Sequence, residues 1–219
     1  MKVGTDGVLL GAWATVRASD RRMLDIGTGT GLIALMLAQR APQARIAGID
    51  IDEVAEARAN ADASPWGGRI EMVRRPVQTF APDERFDLIV SNPPFFDGTL
   101  PCPDAGRTAA RHAVRLTFEE LRDAAVRLLA PEGRFAVVLP TGAAVRFIAL
   151  CCGELDLVRR TDVRTTPWRP AKRTLLEFSL SRPGATPAVE WSELTLGTGQ
   201  HECYTPEYRA LTRDFYLKF

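Results

Sequence analysis

Three short stretches carry side chains whose types and spacing could do chemistry. The first is Ser91-Asn92-Pro93-Pro94-Phe95-Phe96, which follows the apolar run RFDLIV. That run predicts a buried strand, and the prolines end it because neither donates a ladder hydrogen bond and each fixes its own φ. An amino group on an aromatic ring is a poor nucleophile, since its lone pair is delocalised into the ring. If the Asn92 side-chain oxygen and the Pro93 carbonyl both accept from its N–H bonds, the nitrogen is drawn toward a tetrahedral shape and the lone pair is freed. Pro93 and Pro94 would hold the two acceptors rigid. Phe95 would offer a face for a base to stack on, worth roughly 1–3 kcal/mol. The plain alternative is a structural Asn-Pro-Pro turn.

The second stretch is Asp25-Ile26-Gly27-Thr28-Gly29-Thr30-Gly31, between the strand-like RRML and the helix-like LIALMLAQR. Glycines let a ligand approach the backbone, and the helix start presents free N–H groups to a carboxylate or phosphate. A tight turn with no ligand is the competing reading. The dinucleotide spacing G-x-G-x-x-G fails, because its third glycine, counted from Gly27, falls on Leu32. The third feature is Asp50, which ends the strand-like ARIAGID 19 residues after Gly31. A carboxylate there can accept both hydroxyls of a ribose, while Asp52 and Glu53 better suit an ordinary helix-leading acid.

The elements that must position these groups follow from periodicity. TDGVLLGAWATV predicts a short helix capped by Thr5 or Asp6. RRMLDIG, ARIAGIDID, RIEMVRR, RFDLIVS and GRFAVVLP predict five strands. LIALMLAQR, DEVAEARANADAS, TFEELRDAAVRLLA and GAAVRFIALCCG predict helices, the third with Thr117 and Glu120 as a capping box. Strand–helix alternation over residues 23–150 implies right-handed βαβ units, a parallel sheet and helices on both faces. LDLVRRTDVR and RTLLEFSLSR predict a final antiparallel pair. Residues 1–219 read as one domain, with residues 183–219, after the interruption SRPGATPAVE, as an appendage packed on it; the amphipathic YRALTRDFYLKF would pack against the sheet.

The 219 residues are 46% hydrophobic with a formal net charge of +1, so nothing global demands a polyanion or a membrane. No apolar run approaches the ~18 residues of a membrane span. Four cysteines and two histidines show no metal-ligand spacing. The reading is a reduced, cytoplasmic protein without a metal. Basic residues nevertheless cluster. Arg107, Arg111 and Arg115 share one face if helical, with His112 beside them. Arg159, Arg160, Arg164, Arg169, Lys172 and Arg173 face only Asp156 and Asp162 over residues 156–175, with Trp168 interleaved. Phosphate contacts plus an aromatic platform would suit RNA. A solvated basic edge is the bland alternative.

Taken together, D-x-G-x-G-x-G, Asp50 and N-P-P-F resemble the class I S-adenosyl-L-methionine-dependent methyltransferases that act on planar nitrogen. No His or Glu stands beside Asn92, which fits a sulfonium donor that attracts any nucleophile. More narrowly, MKVGTDGVLLGAW, RTAARHAVRLTFEEL and YTPEYRALTRDFYLKF are similar to the tRNA1(Val) adenine-37 N6-methyltransferase family, over nearly the whole chain. The resemblance implies a Rossmann-like three-layer sandwich with a mostly parallel seven-stranded sheet and an antiparallel final hairpin. It implies a base site at Asn92, Pro93, Pro94 and Phe95. It implies that S-adenosyl-L-methionine is held by Gly4, Thr5, Asp25, Gly27, Thr28, Gly29, Gly31, Asp50, Ile51 and Asn92. Transfer RNA would then meet Arg107, Arg111, Arg115, Arg159, Arg160, Arg164, Lys172 and Arg173. Two departures stand out. Pro76 replaces an acid that bonds the cofactor adenine, leaving Val77 backbone groups or the Gln78 side chain to serve. A strand-like segment expected before MKVGTDG is missing, which reads as a truncated or late start. Within the class, a ribosomal RNA N6-adenine or N2-guanine enzyme or a glutamine N5-methyltransferase remains open, although the last usually carries Tyr where Phe95 stands. From another class, an inactive nucleotide- or RNA-binding module remains open.

Overall fold

The computed structural model describes residues 4–94, 116–184, 187–201 and 203–217. The expected stacking ring, Phe95, and the first basic cluster, Arg107, Arg111, His112 and Arg115, lie outside the described residues. In chain order the elements are α1 (Thr5–Trp13), β1 (Arg22–Ile26), α2 (Leu32–Arg40), β2 (Arg45–Asp50), α3 (Ala55–Asp62), β3 (Ile70–Arg74) and β4 (Phe86–Ser91). Then come α4 (Phe118–Leu128), β5 (Leu129–Pro140), α5 (Thr141–Cys151), β6 (Leu155–Arg164), β7 (Arg173–Leu180), β8 (Glu190–Thr195) and α6 (Pro206–Thr212). A 3-10 turn at Val77–Thr79 follows β3.

Local signals fold as their spacing predicts. LIALMLAQR is helical over its full length. The Thr117 hydroxyl accepts from the Glu120 N–H at 3.1 Å, and the Glu120 carboxylate accepts from the Thr117 N–H at 2.8 Å, closing the capping box. The start of α1 departs from expectation. Gly4 is its N-cap and makes no side-chain cap bond. Asp6 is drawn away instead, its carboxylate held by Arg173 Nε at 2.7 Å.

The sheet runs β3-β2-β1-β4-β5-β7-β6-β8. Strands β1 to β5 pair in parallel, and β7 runs antiparallel between β5 and β6. Among the described residues the sheet has eight strands, one more than the seven expected. The addition is β8, which pairs in parallel with Arg159–Arg164 of β6. Its sequence, EWSELT, buries only Leu194, so no apolar pattern announces it; backbone pairing to a neighbour makes it a strand. Residues beyond Arg182 thus supply a sheet edge and α6, which packs against α1 and β8.

Both sheet faces are covered, as parallel strands require. One core joins Leu9, Trp13, Ile33 and Leu37 of α1 and α2 to Met23, Leu88, Val90 and Val138 of the sheet. The other joins Leu121, Leu128 and Phe147 of α4 and α5 to Leu24, Ile89, Phe135, Val137 and Phe178. Successive residues such as Leu88 and Ile89 enter opposite cores, as the strand period of two dictates. At roughly 25 cal/mol per Å² of apolar surface, these two layers supply the main drive that fixes the strand ends in place. Among the described residues no helix is long and apolar enough to cross a membrane.

Candidate active site

The chain steps outward from β1 to β2 to β3 and then returns to place β4 on the other side of β1. Such a reversal leaves a crevice at the carboxyl ends of the strands, where open α/β sheets bind ligands. The glycine turn after β1, Asp50 at the end of β2, Val77 after β3 and Asn92 after β4 all lie at that end.

The turn is pinned to its neighbours. Gly27 N–H and Thr28 N–H donate to the Ile49 carbonyl at 2.8 and 3.0 Å. Gly27, Gly29 and Gly31 have φ of 72°, 57° and 82°, the left-handed region that side chains rarely adopt. A Cβ at Gly27 would meet nothing within 4 Å, so the turn leaves open space. At Gly31 a Cβ would lie 2.9 Å from Met72 Cε, so this glycine serves helix–sheet packing.

Asp25 is wholly buried beneath the turn. Its Oδ2 accepts from the Thr28 hydroxyl at 2.7 Å and the Ala34 N–H at 3.2 Å, while Oδ1 has no hydrogen-bond partner. Burial pushes this carboxyl up to about 7, against the pull of those two donors. Asp50 is half-buried and already oriented: Oδ2 accepts from Gly29 N–H at 2.9 Å and Oδ1 from Asp52 N–H at 3.0 Å. A carboxylate has about four acceptor positions, so each oxygen keeps one free. Ile51 follows, half-buried, and its carbonyl accepts from Arg74 Nε at 3.3 Å.

On the β4 side, the Ser91 hydroxyl donates to the Ile26 carbonyl at 2.9 Å, tying the end of β4 to the end of β1. Asn92 is half-buried, Pro93 buried and Pro94 exposed. Helix α1 closes over this corner. A methyl on Gly7 would come 3.2 Å from Leu32 Cδ2 and 4.0 Å from the Asn92 side-chain nitrogen. Gly4 and Thr5, at the exposed start of α1, precede that contact.

After β3, Val77 is buried, and its carbonyl accepts from Arg127 Nη2 at 2.7 Å. The Gln78 side chain turns to Glu120, whose carboxyl is held below the usual range first by the Thr117 N–H and then by Gln78. The Gln78 amide therefore spends an N–H on Glu120 and keeps its oxygen as an acceptor.

The basic edge is drawn together by its own acids. Arg160 grips both oxygens of Asp162 at 2.9–3.2 Å. Arg164 pairs with Glu193 at 2.8 Å, and Arg173 with Asp6 at 2.7 Å. Arg159 lies 4.3 Å over the Trp13 ring, donates to the Trp13 carbonyl at 3.0 Å and sits 3.4 Å from Glu190. Burial works to raise the Asp162 carboxyl, but donors on Thr174, Arg160 and Trp191 outweigh it and hold it below its ordinary value. Lys172, with Arg169 nearby, is exposed, and neither is in an ion pair among the described residues.

Sequence reasoning missed Ser91, Gly7 and the Arg173–Asp6 pair. A small hydroxyl ending an apolar strand was the available signal for Ser91. Gly7 and Arg173 gave none, since their partners Asn92 and Asp6 are remote in the chain.

Comparison with known proteins agrees with this geometry. The Methyltransferase small domain family matches residues 6–151. The tRNA1(Val) (adenine(37)-N6)-methyltransferase of Bacteroides thetaiotaomicron is 46% identical over 222 residues, spanning 99% of this chain and 91% of that protein. The enzyme of the same name from Flavobacterium johnsoniae is 44% identical, over 100% and 93%. Among solved structures, a predicted O-methyltransferase from Agrobacterium tumefaciens superposes with a TM-score of 0.70 at 20% identity, covering 95% of this chain and 96% of that one. An N-methyltransferase from Bradyrhizobium japonicum, solved with S-adenosyl-L-homocysteine, gives 0.53 at 20% identity over 74% and 79%. These last two show the fold, class I methyltransferase, and the sequence relatives narrow it: the chain belongs to the Methyltransferase small domain family and, within it, to the tRNA1(Val) (adenine(37)-N6)-methyltransferases.

Proposed function

We propose that this protein transfers the methyl group of S-adenosyl-L-methionine to N6 of an adenine in transfer RNA, with the adenine next to the anticodon as its target. A tRNA substrate places it in the cytoplasm. The observation that carries the reading is the juxtaposition of Asn92 and Pro93 with the Gly27–Gly31 turn, joined by the Ser91–Ile26 hydrogen bond. The relatives' names supply the substrate.

The described residues suit the cofactor. Open backbone at Gly27 and the free acceptor positions of Asp50 offer a cradle and a ribose clasp in one crevice, over the buried Asp25 carboxyl that braces the turn through Thr28 and Ala34. Bound there, the cofactor supplies an electrophilic methyl on a sulfonium. Asp50 accepts the two ribose hydroxyls, its carboxylate held flat by the Gly29 and Asp52 N–H groups. The Val77 backbone and the Gln78 side-chain oxygen would border the adenine end.

At the acceptor end, the Asn92 side-chain oxygen and the Pro93 carbonyl each accept one N–H of the target amino group. Both acceptors strengthen as positive charge grows on the nitrogen, so they favour the transition state over the ground state. Helix α1 packs on Leu32 and passes beside Asn92, where it would flank the reacting atoms. Lys172, with Arg169 beside it, would meet RNA phosphate, since Arg159, Arg160, Arg164 and Arg173 are already paired within the fold.

The test is to incubate the protein with methyl-labelled S-adenosyl-L-methionine and separate tRNA, ribosomal RNA and protein fractions. Label should appear in tRNA as N6-methyladenosine, located by mass spectrometry beside the anticodon. Label in ribosomal RNA or on glutamine would replace this reading.

A further inference from the structure

The loop between β6 and β7 lies at the same end of the sheet as Asn92. Register fixes this: Ser91 pairs with Val137, and Pro140 pairs with Arg173 at the loop's exit. The loop, TTPWRPAK, carries two cations and no acid. Trp168 at its tip is 68% exposed, an expensive position for so large an apolar ring.

Yet the ring is held. Its six-membered part rests on Gly199, where an added Cβ would lie 2.0 Å from Cη2 and 2.5 Å from Cζ2. Any side chain there would push the ring off its seat, and the φ of 98° at Gly199 is itself one that side chains rarely adopt. The loop bearing Gly199 is pinned in turn, because Leu196 and Gly197 N–H groups donate to the Arg164 and Thr165 carbonyls at 2.9 and 3.0 Å. Pro167 and Pro170 bracket Trp168 and Arg169 and fix the backbone on both sides. One part of the ring is seated, and the rest faces solvent beside the exposed Arg169 and Lys172.

An apolar protein surface would strand those two cations without partners. A base with its flanking phosphates satisfies the ring and the cations together. We infer that Trp168, seated on Gly199 and flanked by Arg169 and Lys172, is a stacking platform for an unpaired base of the RNA substrate, outside the methylation pocket. The inference rests on the RNA reading above. Two to three strand spacings separate the loop from β4, roughly 10–14 Å. The platform therefore grips a neighbour of the target nucleotide and not the target itself.

The full-length protein is assayed with unfractionated tRNA. Trp168→Ala should raise KM for tRNA about tenfold, with kcat within twofold and S-adenosyl-L-methionine affinity by calorimetry unchanged. Trp168→Phe should keep most of the wild-type KM, whereas Trp168→Leu should behave like alanine. Gly199→Val, which drives the ring off its seat, should fall between. A Trp168→Ala KM within twofold of wild type, or Leu equal to Phe, overturns the platform. So does a change in oligomeric state with KM unmoved, which would assign the ring to a second copy of the chain. A wild-type protein that methylates no tRNA overturns this inference and the proposed function together; normal wild-type turnover with an indifferent Trp168 overturns the platform alone.

Discussion

The crevice at the ends of β1, β2 and β4 and the edge built from β6, β7 and β8 treat polar groups in opposite ways. In the crevice, acceptors are oriented but left with capacity: Asp50 keeps lone pairs beyond the Gly29 and Asp52 N–H groups, and Asp25 buries an oxygen with no partner. On the edge, Arg159, Arg160, Arg164 and Arg173 are each consumed by a carboxylate of the same chain. A cluster of cations in the sequence is thus a poor guide to a polyanion site. What marks one is the residue that stays unpaired after folding. By that measure the edge is glue that fastens β8 and α1, and its reactive remainder is the loop at Trp168.

The largest expected effect lies in the crevice. Asn92→Ala should lower methyl transfer at least about a hundredfold, in line with the loss of one transition-state acceptor. S-adenosyl-L-methionine affinity should stay within a few-fold; full activity in this variant would remove Asn92 from the mechanism. Next, Asp50→Ala should weaken cofactor binding by about tenfold or more, since two charge-assisted hydrogen bonds are lost. Calorimetry showing unchanged affinity would refute the ribose clasp.

The edge gives a paired test. Arg160→Gln should lower the melting temperature, because Asp162 loses a bidentate partner in a half-buried site, while tRNA affinity stays within twofold. Arg169→Gln combined with Lys172→Gln should do the reverse: melting unchanged, and the slope of log K against log salt shallower by about 1–2. If Arg160 instead carries the salt dependence, the division between glue and footprint collapses.

The smallest effect is a pH signature of Asp25. Its folded-state value, about 7, lies above the ordinary 3.8, so the folded protein holds a proton that the unfolded chain has released. Stability from this group is complete below about pH 4 and lost as pH rises through 7. Asp25→Asn should therefore gain on the wild type, in relative melting temperature, by several degrees between pH 4 and pH 8. A pH-independent difference would show that the buried carboxyl stays ionised.

What could be read from the sequence was local. LIALMLAQR, the Thr117–Glu120 box and the β6–β7 pair announce themselves within short continuous stretches, and the glycine turn, Asp50 and Asn92 needed only strand–helix alternation to reach one end of the sheet. What could not be read depended on distant partners. EWSELT becomes β8 only because Arg159–Arg164 lies beside it. Asp6 fails to cap α1 because Arg173 claims it, and the Gln78 side chain turns toward Glu120, which stands across from it. Periodicity reports which face a residue occupies; it carries nothing about which charge awaits it there.

The Asp6–Arg173 pair also sets an order of assembly. Its two halves are 167 residues apart, so on a growing chain the first turn of α1 can pack on α2 but lacks this ion pair until β7 has been synthesised. Contacts of such long separation close late, after the loop entropy between them has been overcome. The corner beside Asn92 is then among the last parts of the molecule to settle, because a half-made chain holds the glycine turn and Asp50 without the ion pair that fixes the start of α1. Pulsed hydrogen exchange during refolding should find the amides of Val8 and Leu9 protected after those of β1 and β4. The start of α1 would in this way be fastened only once the antiparallel part of the sheet has been made.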